Sequence, residues 1–111
     1  RRFLAMGLTV DDLPETVKIG PFDIKFKISP DLWLREGKWG YAHYRYAEIE
    51  LAENIPPNRI LAETIIHEVL HHIGDIYGAK DFKEEIVGRI DKGVLDFIVH
   101  NKELLLKLME A

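Results

Sequence analysis

In the stretch ETIIHEVLHHIGDIYG, Glu63 to Gly78, His67 and His71 stand four positions apart with Glu68 directly after the first. On a helix that spacing stacks two imidazoles over one turn, near enough to share a Zn²⁺ ion at about 2.0–2.1 Å per nitrogen. Glu68 lies beside the pair rather than between its members, so its carboxylate is placed to reach a water near the ion instead of the ion itself. A metal that acidifies water and a base that takes the proton are the parts of metal-assisted hydrolysis. The competing reading is a polar helix face that collects His and Glu by chance. Background abundances give an accidental H-E-x-x-H in well under about 1% of chains this short. The intervening Val69 and Leu70 are apolar, which also places the motif within a packed helix.

The elements that must position these residues follow from periodicity. Ile65, Ile66, Val69, Leu70, Ile73 and Ile76 fall on one arc of a helix expected from about Pro57 to Tyr77, with Gly78 suited to the left-handed conformation past its end. His67, Glu68, His71, His72 and Asp75 collect on the opposite arc. Upstream, TVKIGPFDIKFKISP alternates apolar and polar residues, Val17, Ile19, Phe22, Ile24, Phe26 and Ile28, with Gly20 and Pro21 as a bend between two pieces. DLWLREGKWG reads as a loop, and YAHYRYAEIELAE as a further strand with Ala47, Ile49 and Leu51 alternating. Three strands are expected, antiparallel because the connections look too short for helical crossovers. A second helix should begin near Asp81 and end about His100, followed by a short amphipathic tail with Leu104, Leu105, Leu108 and Met109 on one face. Strands first and helices after describe one α+β domain over residues 1–111.

The chain has no cysteine, so metal ligands must be His, Asp or Glu. A third protein ligand is needed to leave one position for water. Asp75 lies about 12 Å along the helix from His67, too far to share its ion easily, and is better placed to orient His71 or a neighbour. His67, His71 and Gly74 fit the longer metzincin pattern, but Tyr77 stands where its third ligand belongs. The second helix offers Glu84, Glu85 and Asp91. Glu84 lies nearer the apolar face, on the edge shared with Val87 and Asp91, and Glu85 is the alternative. The bland alternative for all three is a solvated acid, and it is expected to hold for at least two of them.

AETIIHEVLHHIGDIYG followed by FKEEIVGRIDKGVLDFIVHNKELL resembles small phage- and prophage-type zincin metallopeptidase-like proteins related to the ImmA/IrrE group. The resemblance spans about Val17 to Leu106. It implies a minimal zincin-like domain with an HExxH helix and a ligand-bearing second helix, supports Glu84 as the third ligand, and suggests a regulatory protein such as a repressor as substrate. It also places the substrate-binding edge on the strand before the active helix, where His43, Tyr44, Arg45 and Tyr46 are candidates to polarise a carbonyl. Aromatic-rich strands are, however, commonly packing elements.

A formal charge of −4, with lysines and arginines dispersed among acids, argues against nucleic acid as a partner. No apolar run approaches the roughly 20 residues that span a bilayer, and RRFLAMGLTVDD lacks the apolar core of a signal peptide, so no membrane partner and a cytoplasmic location are expected. The chain begins at Arg1, which leaves a lost targeting segment open. His72 is expected at the surface or behind a ligand, Trp33 and Trp39 as loop anchors, and His100 as a helix-end residue. Two functions compete. One is a zinc-dependent peptidase with His67, His71 and Glu84 on the ion, Glu68 as base, and a protein or peptide as substrate. The other is a binding or regulatory module that keeps the fold without activity, which the small size favours. Oligomeric state is not encoded in these patterns.

Overall fold

The alternation between Thr16 and Ser29 folds as a hairpin of β1 (Thr16–Ile19) and β2 (Phe22–Ser29), paired antiparallel across a two-residue Gly20-Pro21 turn. Gly20 has φ 59°, the positive value that the first position of such a turn favours. The computed structural model describes residues 7–111. The start of the lead-in, and half of the segment inspected for a signal peptide, lie outside the described residues.

The Tyr-rich segment is two strands rather than one. β3 (Gly40–His43) and β4 (Glu48–Ala52) pair antiparallel around a turn at 44–47, where Ala47 takes φ 52°. The sheet runs β1-β2-β4-β3, and β2 pairs with β4 in parallel. The expectation of three antiparallel strands is therefore corrected to a four-stranded mixed sheet. The error lies in DLWLREGKWG, which is not all loop. It contains α1 (Leu32–Glu36), anchored by fully buried Leu32 and ended by Gly37 at φ 65°. With α1 and β3 between them, the ends of β2 and β4 are far enough apart in sequence for the crossover that parallel pairing demands.

The next helix, α2 (Arg59–Ile76), ends just before Gly78, which has the expected left-handed φ of 74°. Ile24, Ile49 and Leu51 from the sheet and Leu61 from α2 form the buried core, with Ile65, Val69, Ile73 and Ile76 packed against it. The second long helix, α3 (Glu84–His100), starts three residues after Asp81 and has Lys83 at its N-cap. It faces α2 with buried Val87, Asp91 and Leu95, and an Arg59–Asp96 ion pair at 2.7 Å ties the two helices. This arrangement leaves α2 sandwiched between sheet and α3, so most of its polar arc meets protein and only Asp75 of that arc is exposed. The tail forms α4 (Lys102–Leu108), but Leu104, Leu108 and Met109 stay exposed instead of packing. Among the described residues no helix is long and apolar enough to cross a membrane.

By strand alternation Glu50 lies on the sheet face opposite Ile49 and Leu51, yet its side chain is only 2% exposed. Arg35 Nη2 donates to its Oε2 at 2.7 Å, and His43 Nε2 lies 2.8 Å from Oε1. Burial works against this carboxylate, but hydrogen bonds from Ser29, His43 and Arg35 prevail and lower its pKa to about 2. Because the folded value lies below the ordinary 4.5, the stabilisation is complete above that pH and drains away as pH falls from about 5 towards 2. Allowing for solvent screening at half-exposed Arg35, the contribution is on the order of 2 kcal/mol. Urea unfolding at pH 7 and pH 2.5 should show Glu50→Gln losing less stability than the parent over this interval. Parallel pH profiles would remove Glu50 from the account of acid stability.

Candidate metal centre

Mid-way along α2 the Nε2 atoms of His67 and His71 stand 3.3 Å apart. That is about the edge of a tetrahedron whose centre lies 2.0–2.1 Å from each nitrogen. The stripe Glu84, Val87 and Asp91 on α3 faces them, as the spacing of three and four requires. Glu84, in the first turn of α3, bridges both rings: Oε1 is 2.8 Å from His71 Nε2 and Oε2 is 2.9 Å from His67 Nε2. One potential ligand atom from each of the three residues falls within 4.8 Å of the other two. Glu85 points elsewhere and lies 3.8 Å from Arg89 on its own helix.

Asp91 is neither a solvated acid nor in the Glu84 position. It is 6% exposed, and its Oδ2 lies 2.9 Å from Nδ1 of His67, the ring nitrogen away from Glu84. With Nδ1–H donated to Asp91, a neutral His67 directs the lone pair of Nε2 at the Glu84 carboxylate. Two acceptors at that distance require positive charge between them, either a second ring proton or a cation. Burial opposes a charge on His67, but Asp91 and Glu84 outweigh it and raise the pKa above the ordinary imidazole value. For Glu84, burial likewise favours the neutral acid, yet the hydrogen bonds to His67 and His71 lower its pKa. The donor set of two imidazoles and one carboxylate thus fits a divalent ion such as zinc. Nδ1 of His71 is buried without a hydrogen-bond partner, so the two histidines are supported unequally.

The remaining polar residues of α2 divide differently from the sequence expectation. His72 is not at the surface: it is 1% exposed, and Nε2 donates to the Glu48 carbonyl at 2.8 Å, pinning α2 to β4. Burial lowers its pKa, consistent with a neutral structural histidine. Asp75 is exposed and does not orient His71. Glu68 is 7% exposed, and burial pushes its pKa up to about 7, with the negative charge of Glu84 adding to the rise and His67 opposing it. It sits against the edge strand at Gly40, where an added Cβ would come within 2.7 Å of Thr64 and 3.1 Å of Glu68. Glycine here lets the backbone of β3 approach the helix.

A cleft of about 690 Å³ opens over these groups between β3, α2 and α3, with Gly40, Thr64, Glu68 and Glu84 on its walls. A second cavity of about 440 Å³ shares Tyr44, His71 and Glu84 with it and continues towards Gly78 and Phe82. Of the four candidates to polarise a carbonyl, only Tyr44 lines the cleft; burial, and then Asp75, Glu68 and Glu84, raise its phenol pKa. His43 instead stacks on Tyr41 and contacts Glu50, while Arg45 lies over the ring of Tyr46 in the turn. Trp33 and Trp39 stack on each other at 4.1 Å between ring centroids, and Trp39 reaches the cleft wall. The contact of Asp91 with His67 escaped sequence reasoning, although its place two turns after Glu84 on one edge was the available signal. Gly40 carried another, a glycine at the start of a strand beside the HExxH helix. No protein-family model matches the chain, and neither a curated protein nor a solved structure matches it significantly.

Proposed function

We propose that this chain is a zinc-dependent peptidase with a minimal zincin-like fold, in which His67, His71 and Glu84 hold the ion and Glu68 is the general base. The observation that carries the proposal is the convergence of two Nε2 atoms from α2 and one carboxylate from α3 at the cleft where Glu68 is buried. The resemblance of the HExxH segment to phage-type metallopeptidase-like proteins of the ImmA/IrrE group points the same way. A bound zinc ion supplies Lewis acidity, lowering the pKa of water and polarising a carbonyl oxygen.

The protein's own residues account for the rest. β3 is the edge of the sheet, so its outer backbone groups are available to an extended peptide laid along the cleft. Glu68, with a pKa near 7, is poised both to accept a proton from the attacking water and to return it to the leaving amine. Asp91, by accepting from Nδ1–H of His67, would leave Nε2 as the nitrogen free to serve as a ligand. Tyr44, which lines both cavities, is the side chain that we assign to hydrogen-bond a substrate carbonyl.

Calorimetry or elemental analysis of metal-stripped protein titrated with Zn²⁺ should give about one ion per chain, and His67→Ala or His71→Ala should remove it. A parent protein that takes up no zinc sinks the proposal. Protein that binds zinc and a partner protein but cuts no peptide would favour the regulatory module instead.

A further inference from the structure

The two cavities meet at Tyr44, His71 and Glu84, so they form one groove running across the candidate centre. Its acids are mostly committed. Glu84 and Asp91 are engaged with the histidines, and Glu68 is buried. Glu63 accepts from Arg59 at 2.7 Å and lies 3.9 Å from Lys92. The charged groove side chains left without an ion pair are mostly lysines. Lys38 lines the first cavity, packed over the ring of Tyr41 at 4.4 Å, while Lys80 and Lys83 line the second. Among the described residues no carboxylate lies within ion-pair distance of these three lysines; the groove acids without an ion pair are exposed Asp75 and buried Glu68, and Glu68 feels the charge of Lys38. The lining side chains alone, four lysines against five carboxylates, carry −1, and a divalent ion held at the centre would bring the groove to +1, against −4 for the chain as a whole.

From this we infer that the groove selects peptides with acidic side chains on both sides of the bond to be cleaved. The inference rests on the peptidase proposal and narrows its substrate class. Lys80 and Lys83 receive the acidic residues on one side of the centre and Lys38 those on the other, while the β3 edge takes the backbone. A peptide suits the site better than another polyanion because that edge offers backbone hydrogen bonds in register with an extended chain.

Zinc-loaded Glu68→Gln protein, chosen so that ligands are not cut, is titrated with fluorescein-labelled peptides of equal length that carry acidic, neutral or basic flanks. A single-stranded oligonucleotide serves as a non-peptide anion. Acidic flanks should bind about tenfold more tightly than basic ones at low salt, and the difference should shrink at high salt, as expected for exposed charges. The double variant Lys80→Glu with Lys83→Glu, made in the same background, should abolish or invert the preference; both side chains are exposed, and circular dichroism verifies that it folds. Equal affinity for all flanks, a preference for basic ones, or an oligonucleotide bound as tightly as the acidic peptide would overturn the inference. Zinc binding and cleavage without charge preference would defeat this inference alone, whereas failure to bind zinc would defeat the peptidase proposal beneath it.

Discussion

Replacing Glu68 by glutamine is expected to lower peptide hydrolysis by about 10²–10⁴ while leaving both the fold and the bound zinc in place. The two side chains have nearly the same shape, which matters because Glu68 is 7% exposed and packs where Gly40 of β3 leaves room for nothing larger. Only the ability to accept a proton is lost. A base is most effective when its pKa lies near the working pH, and burial brings this carboxyl to about 7. Glu68 does not join the His67, His71 and Glu84 cluster, so its replacement should not alter zinc stoichiometry. The comparison is made on parent and variant at matched zinc content, with peptide cleavage followed by mass spectrometry. Hydrolysis that survives in the variant at the parental rate would remove Glu68 from the role of base. Loss of zinc in the variant would make it a ligand instead.

The parts of this site carried by local periodicity were legible in the sequence. The spacing of His67 and His71 is set by the helix itself, and Gly78 marked its end because a left-handed residue there favours glycine. The edge shared by Glu84, Val87 and Asp91 was visible for the same reason. Properties that depend on how elements pack were not legible. Whether the polar arc of α2 met water or protein was decided by the docking of α3, which buries His71 and Asp91; β4 and the turn after β3 close over His72, with the ring of Tyr44 edge-on to it. Parallel pairing of β2 with β4 depended on α1, whose five residues are too few to show a helical period among the glycines and tryptophans of DLWLREGKWG. Asp91 illustrates the limit most sharply. Its helix position was readable, but a ligand, an orienting group and a solvated acid look alike until the distance to His67 Nδ1 is known.

That distance leads to the other large expected effect, a graded response of zinc affinity along α3. Glu84→Ala removes a carboxylate that contacts both Nε2 atoms, and should weaken zinc binding more than any other substitution on this helix. Asp91→Ala should cost less, about 10–100-fold, because it acts through the tautomer and orientation of His67 rather than on the ion. Glu85→Ala should leave affinity unchanged, its side chain being exposed and nearest to Arg89. Competition with a chromophoric chelator resolves the three. Asp91→Asn adds a readout that a merely structural role would not move: the amide keeps the volume and, through its oxygen, can still accept from Nδ1–H, so affinity should recover partly towards the parent. An Asp91→Ala effect equal to that of Glu84→Ala, with no recovery in Asp91→Asn, would place Asp91 on the ion. A Glu85→Ala effect larger than that of Glu84→Ala would shift the ligand by one residue and rotate the first turn of α3. The predicted order can hold only if one helix both supplies a ligand and, two turns later, aims a histidine of its neighbour, as the stripe of Glu84, Val87 and Asp91 against α2 allows.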